Sequence, residues 1–327
     1  MNIQNLITSN SIEALSILYA SNPSKLRKTR DVVFSKFQNL GRWKEFGYKN
    51  NDDPFGYWGI IPSCFWLLAL SQIESRDETE NSLMHMTINH LLEMENAGQI
   101  RKTQYNRNDV LNTNLLVAYA LYKSTINQPD GNYLKTVVNC AIRRIIFRVM
   151  LSQNFDGSFP YQSNSRHVSL VYHFMVHALL KSLVEHIDSP LLCQSLDKSQ
   201  RFIQSVSDEN TINWNYDTSG DKIDIIWSYA WLKACGYSNV KEDELLKLVS
   251  YIENNNSIPK GYSPRDVAWC VLASWVHKDA CHVHYEKFSE RPSRLIITVF
   301  ATQKCLFKVK ILTSKLVSLI SNKIFDR

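Results

Sequence analysis

Five apolar segments recur along the chain, and this repetition restricts the fold more than any other feature of the sequence. Each segment follows a loop with Gly, Asn or Asp, and each carries aromatic or aliphatic residues at most of its positions. Their starts are about 44 to 57 residues apart, which is the length of two helices and two connections. They cover residues 57–70, 110–122, 167–183, 222–234 and 266–276. The chain is therefore expected to repeat a helical hairpin.

More polar segments with a 3.6-residue apolar period lie between the apolar ones, at about 78–96, 131–152, 192–207 and 241–254. A helix that is apolar on all sides must be covered on all sides, whereas an amphipathic helix can face water. The apolar helices are therefore expected inside and the amphipathic ones outside. This alternation predicts an all-α fold, an α/α toroid of five to six hairpins over residues 1–280, in which segments 11–20 and 24–40 supply the sixth hairpin.

Composition agrees with a helical, globular chain. A hydrophobic share of 44% excludes disorder, and 10 Gly and 9 Pro in 327 residues are few for a turn-rich β-sandwich. The seven cysteines never occur as CxxC, which is typical of a reducing compartment. The N-terminus lacks the pattern of a signal peptide, and no apolar run is long enough to span a membrane. We therefore expect a cytoplasmic protein.

The net charge of +6 is confined to the C-terminal extension, residues 281–327, which holds nine basic and three acidic residues. Because the rest of the chain is close to neutral, a nucleic-acid partner is not expected. Residues 304–325 have the pattern of a basic amphipathic helix. Three interpretations stay open: the helix makes peripheral contact with an anionic membrane surface, it binds a partner, or it packs its apolar side on the toroid.

One loop carries a recognisable motif. Residues 153–161 read Gln-Asn-Phe-Asp-Gly-Ser-Phe-Pro-Tyr and resemble the QxxDGSW repeat of α/α-toroid proteins, a superfamily that includes terpene cyclases. With residues 112–121 and 172–173, the likeness extends to bacterial toroid proteins linked to surface-polysaccharide synthesis and covers about a quarter of the chain. The resemblance implies that Gln153 caps a neighbouring helix and that Asp156 and Gly157 make a tight turn. It also implies a carbohydrate or glycan as the substrate.

The candidate catalytic residues lie at or near the starts of the apolar helices. His173 and Tyr172 could exchange protons with a sugar in an epimerisation or elimination. Asp224 and Asp266 could supply the two carboxylates that hydrolysis requires. His173 and His177 are four residues apart, but without an HExxH signature we expect no metal and no cofactor.

The candidate substrate-binding residues occupy similar positions. An indole such as Trp227 can cover the apolar face of a sugar, and Arg265 can clamp a carboxylate or phosphate at the start of its helix. Polar side chains in an apolar run, such as those of Asn112 and Asn114, need partners from a substrate or from neighbouring loops. The complete set is Asn112, Asn114, Tyr161, His167, Trp227 and Arg265.

Three functions follow from these patterns. The first is a carbohydrate-active epimerase, lyase or hydrolase in the cytosolic synthesis or modification of bacterial surface polysaccharide. The second is a non-catalytic toroid that binds a glycan or a partner protein in a biosynthetic assembly. The third is an isoprenoid cyclase, although the DxDD motif of class II terpene cyclases does not occur in the sequence.

Overall fold

A computed structural model describes most of the chain, and almost all of that part is α-helical. It covers residues 12–23, 30, 59–100, 109–127, 132–184, 187, 189–207, 211–219, 226–239, 241–255, 257–281 and 294–325, with side chains to residue 313. The helices are α1 (Ile12–Ser21), α2 (Ile60–Ser71), α3 (Glu78–Met94), α4 (Leu111–Thr125), α5 (Tyr133–Ser152), α6 (Leu170–Leu183), α7 (Pro190–Val206), α8 (Ile226–Ala234), α9 (Glu242–Asn255), α10 (Pro264–Cys281) and α11 (Arg294–Phe325). Strands β1 (Glu95–Asn96) and β2 (Gln99–Ile100) form a short antiparallel hairpin.

Six helices contact one another in a closed cycle. Helix α1 contacts α2, α2 contacts α4, α4 contacts α6, α6 contacts α8, α8 contacts α10, and α10 contacts α1. We call these six the cycle helices. In α2, every residue from Ile60 to Leu70 is buried, and the same holds in α4 from Leu111 to Tyr122. Such helices are covered on all sides, as the apolar segments of the sequence predict.

The amphipathic helices each pack on a cycle helix: α3 on α2, α5 on α4, α7 on α6, and α9 on α8. In α9 the buried residues are Leu245, Leu248 and Ile252, whose spacing of three and four residues makes one apolar stripe. Helix α3 begins with a capping box, in which the side chains of Asp77 and Glu80 each accept the backbone N–H of the other residue. These helices therefore begin and pack as their sequences dictate.

The all-α class is confirmed, and several predicted boundaries are wrong. The fifth apolar helix, expected over residues 266–276, spans Pro264–Cys281. The segment expected to be helical to residue 96 ends at Met94, where the hairpin that turns at Gly98 begins. The third apolar helix begins at Leu170 rather than at His167, because residues 165–169 are held in an extended loop. The C-terminal helix already begins at Arg294. Of the proposed sixth hairpin, α1 matches segment 11–20, and segment 24–40 lies outside the described residues except for Arg30.

Helix α11 lies against α5. The rings of Phe147 and Phe300 meet edge to face with their centroids 6.0 Å apart, and Lys308 Nζ donates to the backbone oxygen of Ser152. No helix among the described residues is long and apolar enough to cross a membrane.

Candidate functional site

A row of aromatic side chains joins the beginnings of several cycle helices. The ring of Tyr161 stacks on that of Tyr172 at 4.8 Å, and Tyr172 contacts Trp227 at 6.0 Å. Trp227 stacks on Trp269 at 5.9 Å, and Trp269 meets Phe65 edge to face at 5.2 Å. We call these five residues the aromatic row. The row connects the loop before α6 with α6, α8, α10 and α2.

Backbone bonds hold the two tyrosines of the row in place. The N–H of Leu111 donates to the carbonyl of Tyr161 at 3.2 Å, so the loop is fastened to the start of α4. The carboxylate of Asp217 accepts the N–H of Leu170 at 2.9 Å, and Thr218 Oγ1 accepts that of Val168 at 2.8 Å. These bonds fix the start of α6, one turn before Tyr172.

Buried polar atoms without hydrogen-bond partners lie at the same helix starts. Among the described residues, none pairs with Asn112 Oδ1, Ser63 Oγ, Ser169 Oγ or Trp269 Nε1. Ser63 and Asn112 occupy the first turns of α2 and α4, and Ser169 directly precedes α6. A buried polar atom normally has a partner in the folded state. Among the described residues, unpartnered atoms at three helix starts therefore point to a hydroxyl-rich ligand or to ordered water.

The two asparagines of α4 have different surroundings, although both were predicted to bind a substrate. The Asn114 amide donates to Asp109 Oδ1 at 2.6 Å, and its oxygen accepts the N–H of Ile100 at 3.1 Å. Asp109 in turn pairs with Arg148 of α5. Of the two kinds of partner expected for Asn114, a substrate or the neighbouring loops, the structure shows the loops, and its amide and oxygen are both engaged within the fold. Asn112 remains a candidate, since its amide reaches only the sulfur of Met175 and its oxygen is unpartnered among the described residues.

His173 is sealed inside the core. Its side chain has no exposed surface, and burial lowers its pKa to about 3. Nδ1 accepts the backbone N–H of Phe159 at 2.9 Å, so the ring proton lies on Nε2, which is 3.4 Å from Ser199 Oγ. The prediction that His173 acts as a catalytic base is therefore not supported. A neutral ring without access to solvent instead ties the motif loop to α6 and α7.

His177 extends this contact. Its Nδ1 lies 3.0 Å from Ser199 Oγ, so Ser199 lies between the two histidine rings. His177 is also fully buried, and burial together with the neighbouring His173 lowers its pKa to about 3. The pair is thus a buried, uncharged element of the core.

The remaining predicted residues are not all brought together. Tyr161, Tyr172 and Trp227 follow one another in the aromatic row. Such neighbouring aromatic side chains are what binding of a sugar ring requires.

Arg265 and Asp266 both lie in the first turn of α10, where Arg265 is exposed and Asp266 partly exposed. His167 is exposed and lines a different groove, next to α11. Asp224 lies outside the described residues.

The motif loop, residues 153–161, makes hydrogen bonds that hold the fold together. Gln153 Nε2 donates to the carbonyls of Gly157 and of Ser195 in α7, and its Oε1 accepts the Ser195 hydroxyl at 2.8 Å. Asp156 accepts the N–H and the hydroxyl of Ser158, which closes the turn. Gly157 has a φ of +93°, a conformation that favours glycine. The turn at Asp156 and Gly157 is the one that the resemblance implies. Gln153 does not cap a helix, because Ser195 lies inside α7 rather than at its end, so Gln153 instead fastens the loop to the body of α7.

Trp269, Ser63 and Ser169 were not predicted as site residues. A signal for Trp269 exists in the sequence, because it follows Asp266 by three residues just as Trp227 follows Asp224. The two serines carry no such signal, since isolated serines at helix starts are common as caps.

Comparison with known proteins assigns no family. No protein-family model matches the chain, and no curated protein is significantly similar to it. Within the described residues, no group of three or more His, Cys, Asp or Glu side chains is placed to hold a metal ion. The function must therefore be inferred from the aromatic row and the polar atoms beside it.

Proposed function

We propose that the chain is an α/α toroid that binds a carbohydrate at the starts of its cycle helices. The observation that carries this proposal is the aromatic row beside buried polar atoms that have no partner among the described residues. Aromatic rings cover the apolar face of a sugar, while hydroxyl and amide groups bond its hydroxyls. The DGS turn, with its resemblance to toroid proteins linked to surface-polysaccharide synthesis, supports a glycan of that kind.

The closed cycle of helix contacts supports the toroid itself. Six mostly buried helices in a cycle, four of them with an amphipathic helix outside, satisfy the pattern expected for an α/α toroid. In such a toroid the starts of the cycle helices lie at one end. Tyr161 contacts Leu111 of α4 and Tyr172 of α6, which supports this placement. Trp227 of α8 contacts Tyr172 and Trp269 of α10, which supports it for two further helices.

Binding without turnover fits the surrounding ionisable groups better than hydrolysis does. Glycoside hydrolysis uses two carboxylates that flank the scissile bond. Asp109 is engaged by Asn114 and Arg148, and the Asp217 carboxylate by Leu170 and Ser219. Asp266 is therefore the remaining carboxylate at the described starts of α2, α4, α6, α8 and α10, so we favour the non-catalytic form of the carbohydrate hypothesis.

Binding is tested by titrating the full chain with neutral oligosaccharides, uronic-acid oligosaccharides, nucleotide sugars and prenyl diphosphates in a calorimeter. We expect at least one sugar class to bind. Replacing Tyr172 with leucine removes a stacking ring and should weaken that binding by about tenfold. Replacing Asn112 with leucine removes the free acceptor and should weaken it by a similar factor.

The matched control is Trp275→Leu, since Trp275 is a partly buried aromatic residue of α10 that lies outside the aromatic row. Its affinity for the sugar should equal that of the unaltered chain. No binding by any sugar class would contradict the proposal, as would unchanged affinity in folded Tyr172 and Asn112 variants. Release of a modified sugar during the titration would instead support the enzymatic hypothesis, and Asp266→Asn would then be the first variant to assay.

A further inference from the structure

A second concave site lies between the motif loop and α11. The groove has a volume of about 1070 Å³. One wall is the loop from Asn154 to His167, and the other is the part of α11 from Lys304 to Leu312. The loop shares a segment with the candidate sugar site, because Tyr161 joins the aromatic row while residues 163–167 line the groove. The two sites involve different side chains.

Positive charge dominates the groove. Its described lining includes the cations Arg166, Lys304 and Lys308, together with His167, against one acidic residue, Asp156. The side chain of Asp156 already accepts two hydrogen bonds from Ser158. Lys308 Nζ donates to two neutral oxygens, the Ser152 carbonyl and Asn154 Oδ1, both at 3.3 Å. The groove therefore holds more cations than its own acidic residue can balance.

Lys304 is the most unusual of these cations. Only 9% of its surface is exposed, and its ammonium lies 5.6 Å from the centre of the Phe155 ring. Within the described residues it makes no hydrogen bond and no ion pair. Burial, Lys308 and Lys198 together lower its pKa to about 8, so the ammonium is still charged at neutral pH. A buried charge is normally paired, because its removal from water is costly.

We propose that this groove binds a phosphate ester, with Lys304 and Lys308 as donors to the phosphate oxygens. A doubly charged phosphate would balance the two lysines and accept the hydrogen bonds that the Lys304 ammonium lacks. Arg166 and His167 stand at the same groove and add to the attraction. This inference does not depend on carbohydrate binding at the helix starts.

The apolar side chains that line the groove indicate which kind of group is attached to the phosphate of the ester. Phe155, Val309, Ile311 and Leu312 line the groove beside the lysines, and Phe155 is 88% exposed. Burying such side chains against an apolar group is favourable because it removes apolar surface from water. A phosphate ester with a hydrocarbon chain should therefore bind more tightly than inorganic phosphate.

The test measures binding of three probes to the full chain: inorganic phosphate, pyrophosphate and a short-chain phosphatidic acid below its micelle concentration. Sodium chloride at equal ionic strength is the reference. We expect each phosphate to raise the thermal midpoint and phosphatidic acid to have the lowest Kd. Equal affinity for phosphatidic acid and inorganic phosphate would also support the site, with a water-soluble ester as its ligand.

The Lys304→Met variant tests whether Lys304 binds phosphate or only contributes to the stability of the fold. The methionine keeps an unbranched apolar side chain but removes the unpaired charge, so the thermal midpoint without phosphate should stay the same or rise. Its affinity for phosphatidic acid should fall by at least about tenfold. The matched control is Lys310→Met, on an exposed position of the same helix outside the groove lining, which should leave the Kd unchanged. Failure of all three probes to bind, or equal Kd values for Lys304→Met and the unaltered chain, would overturn the proposal.

Discussion

Replacing Gly157 with alanine should lower the free energy of unfolding by about 3 kcal/mol, from the clash of the added methyl group together with backbone strain. A Cβ atom at this position would lie 2.2 Å from the carbonyl oxygen of Lys198 in α7, which is closer than real Cβ atoms come. Because the obstacle is helix backbone, the turn or α7 would have to move. The positive φ adds strain for any residue with a side chain, of the order of 1 kcal/mol.

Gly261→Ala is the matched control for this effect. Gly261 has a similar φ of +99°, but a Cβ there would meet no atom within 4 Å. We therefore expect its loss of stability to be limited to the backbone strain, about 1 kcal/mol. Urea unfolding of both variants measures the difference. Equal losses would mean that the turn does not pack on α7 as closely as described.

Acidification should destabilise the fold through the buried histidines. A histidine in the unfolded chain has a pKa near 6.5, whereas those of His173 and His177 are lowered to about 3 in the fold. Between these values the unfolded state binds a proton that the folded state does not, so stability is full above pH 6.5 and falls as pH decreases toward 3. From pH 7.5 to 5.5 each histidine should contribute a loss of about 1.4 kcal/mol, or roughly 3 kcal/mol for the pair.

Substitution of His177 with methionine isolates half of this effect. The variant should lose about 1.4 kcal/mol less than the unaltered chain over the same pH interval, because one proton-binding group is removed from the unfolded state. Met175→Leu is the control, since Met175 is a buried residue of the same helix without a titrating group, and its substitution should leave the pH dependence unchanged. Urea unfolding at several pH values provides the measurement. A pH dependence that is identical with and without His177 would contradict the account of a desolvated pair.

The division into buried cycle helices and amphipathic helices could be predicted from the sequence, because the positions of the apolar residues determine which side chains are buried. Helix α2 is largely apolar and buried from Ile60 to Leu70, while α9 has one apolar stripe and is buried only there. The motif turn was also predictable, since Asp156 and Gly157 act through local hydrogen bonds and backbone conformation.

The roles of individual polar residues could not be predicted in the same way. Asn112 and Asn114 are two residues apart on one helix and therefore point in different directions. Asn114 meets Asp109 and Ile100, whose positions depend on the loop before α4 and on the β-hairpin, whereas Asn112 faces Met175 of α6. His173 likewise looks reactive in the sequence, and only the packing of Phe159 and Phe202 against its ring shows that it is sealed.

The most direct test of the proposed sugar site is a crystal structure of the full chain with the tightest-binding oligosaccharide of the titration panel. We predict a sugar ring against Tyr172 or Trp227, with a hydroxyl bonded to Asn112 Oδ1. An oligosaccharide bound away from the aromatic row, with Asn112 still unpartnered, would contradict the proposed site.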